Sequence, residues 1–139
     1  VEGMRLFQTR CANCHATDLF TDGSFRNNGL DTDFSRDMGR ARITEREADA
    51  GKFKVPSLRN AELTAPYMHD GRFKTLESVL DHYAGGVNPS PTLDPVLMQG
   101  DARGIALTEE EKEKIIAFIK TLSDDQFVKD KRFSAPVID

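Results

Sequence analysis

Five consecutive residues, Cys11-Ala12-Asn13-Cys14-His15, hold both cysteines and one of the three histidines of this 139-residue chain. C-x-x-C-H is the attachment signature of c-type haem. Two thiols add to the porphyrin vinyl groups, and the adjacent imidazole reaches the iron from one face. Such a cofactor carries the hard chemistry and leaves orientation and electronic tuning to the protein. Three other chemistries use the same residue types. Zinc takes cysteine and histidine, but a closed site needs a fourth ligand, and His69 and His82 do not form a second close pair. A thioredoxin-like redox pair wants a preceding strand and a β-α-β pattern, and neither is visible. A plain disulfide leaves His15 without a purpose.

The elements that must position this cluster are mostly helical. Glu2 to Arg10 reads as a helix leading into the motif, with Gly3, Leu6, Phe7 and Arg10 at helical spacing. Gly3 weakens a helix, so a second helix approaching closely there is its expected reason. Ala16 to Met38 is rich in Asp, Asn, Gly, Thr and Ser. It reads as a loop that lays Phe20, Phe25 and Phe34 over something apolar.

Thr44-Glu45-Arg46-Glu47 has the pattern of a capping box and predicts a short helix ending near Gly51. Val55 to Asn60 reads as extended or turn structure. Thr75 is the expected N-cap of a further helix bearing Leu76, Val79, Leu80 and Tyr83, stopped by Gly85-Gly86. Asn88 to Gly104, with three prolines and two glycines, reads as loop. Thr108 and Glu111 form another capping box. Glu109, Glu110 and Glu111 suit a helix N-terminus, and the apolar face Ile115, Ile116, Phe118, Ile119 and Leu122 follows. Beyond Asp124 only Phe127, Phe133 and Val137 offer anchors, so the expected division is a haem domain over 1–124 and a tail over 125–139. No strand pattern of convincing length and no internal repeat appears. The expectation is an all-α, cytochrome c-like fold: crossed terminal helices around one c-type haem, with long irregular loops and Gly3 against the Ile115–Ile119 face.

Composition is that of an ordinary soluble protein, with 38% hydrophobic and 30% charged residues. The net charge of −4 argues against a nucleic-acid partner. No apolar run is long enough to span a membrane, and no secretory signal is present. Thioether attachment nevertheless implies an exported, periplasmic protein. The chain opens directly inside a helical pattern, so it reads as a mature product or a piece of something longer.

One long segment carries a specific likeness. Phe53-Lys54-Val55-Pro56-Ser57-Leu58-Arg59-Asn60 through Thr64-Ala65-Pro66-Tyr67-Met68-His69-Asp70-Gly71 resembles the C-terminal haem domain of bacterial di-haem cytochrome c peroxidases. Thr75-Leu76-Glu77 to Tyr83-Ala84-Gly85-Gly86 is similar to the MauG-type branch of that family, and Leu107-Thr108 to Leu122 to its closing helix. The resemblance implies two haems on two domains in the complete enzyme. One reacts with hydrogen peroxide, and the other accepts and relays electrons from a small donor protein. A single C-x-x-C-H allows one haem here, on a domain similar to the electron-relaying one. The N-terminal haem domain is then the missing partner, and the isolated domain is not expected to be catalytic. A stand-alone small cytochrome c that shuttles electrons, or a fragment of a MauG-like oxidase, is the alternative.

The resemblance also implies roles. Cys11 and Cys14 would be thioether anchors and His15 the proximal iron ligand, with its second nitrogen donating to a backbone carbonyl or similar group. Tyr83 matches the MauG-type tyrosine that ligates the opposite face, where many relatives have methionine. A core tyrosine is the competing reading. Met98, in the proline-rich loop, and Met68, between Tyr67 and His69, are the other distal candidates. Arg59 could pair with a haem propionate. Thr64 and Pro66 match positions whose backbone carbonyls bind calcium between the two domains, with a further ligand from the absent domain. His69 matches a histidine near the propionates and the domain interface. His82 is expected to be structural.

Overall fold

The computed structural model describes residues 1–136, so Val137 lies outside the described residues. In chain order it forms α1 (Glu2–Arg10), β1 (Phe25–Arg26), α2 (Ala41–Thr44), β2 (Phe53–Lys54) and α3 (Leu76–Asp81). A π-helical turn (His82–Gly86) follows, then β3 (Met98–Gln99), β4 (Ala102–Arg103), α4 (Glu109–Lys120) and α5 (Asp125–Lys129).

The terminal helices cross as the sequence predicts. α1 buries Leu6 and Phe7, and α4 buries Ile115, Ile116 and Ile119. A side chain at Gly3 would collide with the Lys114 carbonyl and press on Phe118 Cβ at 3.2 Å. The glycine is therefore where the two backbones touch. Lys114 braces the crossing with an ion pair to Glu2 of α1 at 3.0 Å, and is held within α4 by Glu110 at 2.6 Å. Phe7 sits 5.1 Å from Phe118 and 5.7 Å from Phe20, ring centre to ring centre. Phe20 thus joins the loop to the crossing, and such edge contacts add about 0.5–1.5 kcal/mol each beyond area burial. Of the other loop phenylalanines, Phe34 lies over Gly51, whereas Phe25 stays exposed beneath the Arg40 guanidinium.

Helix α4 opens with both halves of its capping box formed. Thr108 Oγ1 accepts from the Glu111 amide at 3.2 Å, and the Glu111 carboxylate accepts from the Thr108 amide at 2.9 Å. The similar pattern at Thr44 fails. Thr44 ends α2 instead of starting a helix, Glu45 turns left-handed (φ 56°), and a single 3-10 turn spans Glu47–Asp49. The Thr44 hydroxyl donates to the Asp49 carboxylate at 3.0 Å, which Arg40 and Lys52 also approach. This charged knot outcompetes the local capping signal.

The strands are two-residue pairs, β1 with β2 and β3 with β4, both antiparallel. That length is too short to leave an alternating pattern. The β3–β4 hairpin and a 3-10 turn at Pro95–Leu97 also give structure to the segment read as loop. Beyond Asp124, whose carboxylate caps α5, Phe127 and Phe133 pack on each other at 4.9 Å.

The hydrophobic interior is divided. One cluster joins Leu6, Phe7, Ala61, Leu76, Leu80 and the α4 isoleucines, with Cys11 and Phe20 packed against it. A second joins Val87, Leu93 and Leu97, with Tyr83 packed against it. A domain of this size ordinarily has one contiguous core plus small satellites.

Candidate haem site

Cys11 stands at the end of α1, its amide donating to the Phe7 carbonyl at 2.8 Å. The amides of Cys14 and His15 both return to the Cys11 carbonyl, at 3.2 and 3.0 Å. The helix end thus coils three side chains of the motif into one tight turn. Both thiols are free and half-buried. Burial, with the neighbouring Cys14, pushes the Cys11 pKa up to about 12 against the pull of Arg10. Burial also raises that of Cys14, with Arg26 opposing. Both are therefore neutral thiols at physiological pH rather than ready-made thiolate ligands.

His15 places Nδ1 3.0 Å from the Phe20 carbonyl oxygen. A carbonyl only accepts, so Nδ1 carries the proton and the Nε2 lone pair is left for a metal. Burial lowers the imidazole pKa and favours this neutral form. The Phe20 loop is itself held from the other side. Ser57 Oγ donates to the Leu19 carbonyl at 2.6 Å, and Arg59 Nε to the Asp18 carbonyl at 2.8 Å. Arg59 also lies over the Phe20 ring, 5.6 Å from its centre. Arg59 was expected at a propionate. Its Nε steadies the proximal loop, and its two terminal guanidinium nitrogens make no hydrogen bond to protein among the described residues.

Arg26 is a residue that sequence reasoning missed. It pairs with Asp22 at 2.8 Å and Asp94 at 3.1 Å and donates to the Asn13 carbonyl at 3.3 Å, inside the motif. Only the fold brings these three segments together, so no local signal marked it.

Tyr83 is carried by the π-turn that extends α3. Such turns are frequent at functional sites. Its hydroxyl oxygen lies 3.4 Å from Asn28 Nδ2, and the same nitrogen lies 3.4 Å from Met68 Sδ. Burial raises the Tyr83 pKa, the Asn28 hydrogen bond opposes the rise, and Cys14 and Cys11 add to it. The phenol is thus within electrostatic reach of both motif cysteines. Of the three distal candidates, the structure brings Tyr83 and Met68 together and leaves Met98 56% exposed on β3.

The remaining residues lie apart from the motif. His82 is buried, with Nε2 donating to the Asn28 carbonyl at 2.9 Å, in line with a structural role. His69 stacks on Phe53 at 3.6 Å and approaches Asp37 at 3.6 Å. It also groups with Asp31 and Asp70, but Arg72 already takes both carboxylates at 2.7 Å. That group contains no cysteine, so the zinc reading gains no fourth ligand. Thr64 and Pro66 are exposed, and neither carbonyl accepts a protein hydrogen bond among the described residues.

The donor set fits a c-type haem. It supplies two free thiols, an imidazole with one nitrogen committed and one open, and a phenol packed against the second apolar cluster. No helix among the described residues is long and apolar enough to cross a membrane.

Comparison with known proteins gives the same assignment. The cytochrome c family model matches residues 1–123. The chain is 38% identical, over 86% of its length, to the methylamine utilization protein MauG of Methylorubrum extorquens, covering 33% of that protein. It is 34% identical, over 91% of its length, to the cytochrome c551 peroxidase of Nitrosomonas europaea, covering 34% of that one. The chain thus spans about a third of the length of the curated relatives it matches. Among solved structures, a MauG-like protein associated with microbial copper homeostasis superposes with a TM-score of 0.79 and 35% identity, covering 97% of this chain and 50% of that one. The chain therefore belongs to the cytochrome c family, whose haem is covalently bound, and its relatives are MauG and bacterial cytochrome c peroxidases.

Proposed function

We propose that this chain is the electron-relaying haem domain of a larger, periplasmic di-haem enzyme of the peroxidase and MauG type. Cys11 and Cys14 would hold the porphyrin through thioethers, and His15 and Tyr83 would ligate its iron. The 1–124 segment is the functional unit and 125–139 an appendage. The observation that carries this reading is the hydrogen bond from His15 Nδ1 to Phe20, which frees Nε2 on the turn that also carries both free thiols. When bound, a c-type haem supplies one-electron exchange at a potential set by its axial ligands.

The chain's own residues do the rest. The Phe20 carbonyl fixes the tautomer and plane of His15, and Ser57 with Arg59 fixes Phe20. Arg26 holds the Asn13 carbonyl and so the turn between the two thiols. An anionic phenolate from Tyr83 favours ferric iron and a low potential, whereas a Met68 thioether favours ferrous iron and a high one. The Tyr83 phenol on its π-turn, with the identity to MauG, supports an oxidising-equivalent store within a MauG-like oxidase as the second reading. In the whole protein the N-terminal haem domain would meet hydrogen peroxide, and a small redox protein would deliver electrons. The free carbonyls of Thr64 and Pro66 are available to a calcium ion at the domain interface.

The test is the pyridine haemochrome and the ferric spectrum of protein matured with the haem-attachment machinery. The expected result is one haem c per chain and tyrosinate ligation that disappears in Tyr83→Phe. Protein free of covalent haem after such maturation would overturn the proposal.

A further inference from the structure

Asn28 offers two N–H bonds and directs them at two different side chains. Its Nδ2 lies 3.4 Å from Tyr83 Oη and 3.4 Å from Met68 Sδ. A thioether sulfur has no proton to give, so the amide atom facing it is the nitrogen. One amide therefore donates to a phenol oxygen and to the sulfur of the nearest competing ligand. Tyr83 Oη finds no protein acceptor for its own proton among the described residues.

The backbone under Asn28 is fixed from several directions. Its carbonyl accepts from His82 Nε2 at 2.9 Å, which ties it to the residue before Tyr83. Asn27, 1% exposed, donates to Ser90 Oγ and Thr92 Oγ1, both at 2.9 Å, and accepts from the Gly29 amide at 2.8 Å. A loop residue so anchored can set the direction of its side chain.

Building on the proposed role of Tyr83, we infer that Asn28 is a positioning residue that selects which side chain is presented opposite His15. An N–H on Met68 Sδ engages a sulfur lone pair and holds the thioether back. An N–H on Tyr83 Oη favours an oxygen bearing negative charge, the form in which tyrosine ligates ferric iron.

The test uses the haem-loaded chain and its ferric visible and near-infrared spectra, which separate tyrosinate from thioether ligation. Asn28→Leu removes both donors. Asn28→Asp keeps the shape and replaces the donors with acceptors. Both are expected to lose the tyrosinate charge-transfer band and gain the thioether band, with an upward shift in potential. Adding Met68→Leu to Asn28→Leu should abolish the new band. Wild-type spectra in both single variants would overturn the inference. So would haem loss from both with helix content retained, because Asn28 would then be structural. Tyr83→Phe separates the two claims: if it leaves the wild-type spectrum unchanged, the ligand reading fails, and the selection role fails with it.

Discussion

The Nδ1 atom of His15 lies 3.0 Å from the carbonyl oxygen of Phe20, and Phe20 itself packs against Phe7 and Phe118 at the crossing of α1 and α4. The residue whose carbonyl orients the His15 imidazole thus places its ring in the contact that holds the terminal helices. Proximal geometry and global stability share one set of residues, and the predictions below follow from that sharing.

Gly3→Ala should destabilise the protein. Alanine alone favours a helix over glycine by about 1 kcal/mol. The collision with the Lys114 carbonyl opposes this, and overpacking of a tight contact costs about 1–3 kcal/mol. Denaturant titration of the haem-loaded protein should show a lower midpoint. An equal or higher midpoint would mean that the helices can part without cost.

Thr108→Ala should cost about 1 kcal/mol through loss of the N-cap. It should leave the haem spectrum unchanged, because the cap lies at the far end of α4 from the motif turn. Paired unfolding and absorption measurements check both halves of this expectation.

Arg59→Ala should loosen the Asp18–Phe20 segment, with a stability loss of about 1 kcal/mol for the hydrogen bond. Covalent haem content should be unchanged, since neither cysteine is touched. The diagnostic signal is a broadened proximal-histidine resonance in the paramagnetic NMR spectrum. A sharp, unshifted resonance would remove Arg59 from the positioning role.

Acid stability should depend on Asp22. Hydrogen bonds from Ser24, with the ion pair to Arg26, hold its folded pKa down at about 2. An acid depressed on folding stabilises above its unfolded pKa, near 4, and that contribution fades as pH falls toward 2. Asp22→Asn should therefore flatten the stability profile between about pH 4 and pH 2 relative to the parent. Parallel profiles for the two proteins would show that the Arg26 cluster is not coupled to folding.

What was legible in the sequence follows from the range of the interactions. The cysteine–histidine turn, the Thr108 cap and the Gly3 crossing are written in local spacing, and the fold keeps all three. The Thr44 capping pattern was misleading because Asp49, Arg40 and Lys52 converge on it only after the chain folds. Asn28 and Arg26 escaped notice because each is an ordinary loop residue until segments far apart in the chain meet around it. Tyr83 and Met98 both qualified by residue type. Only the π-turn and the hairpin distinguish them, by packing one against the second apolar cluster and leaving the other at the surface.

The amide of Cys11 closes the final turn of α1 on Phe7, so its thiol rides at the tip of a rod that α4 grips near the opposite end. Slippage at that grip is delivered to the sulfur tether as leverage. In the proposed haem-loaded protein, a fault at that grip is expected to reach the tether two helical turns away, where absorption would register it.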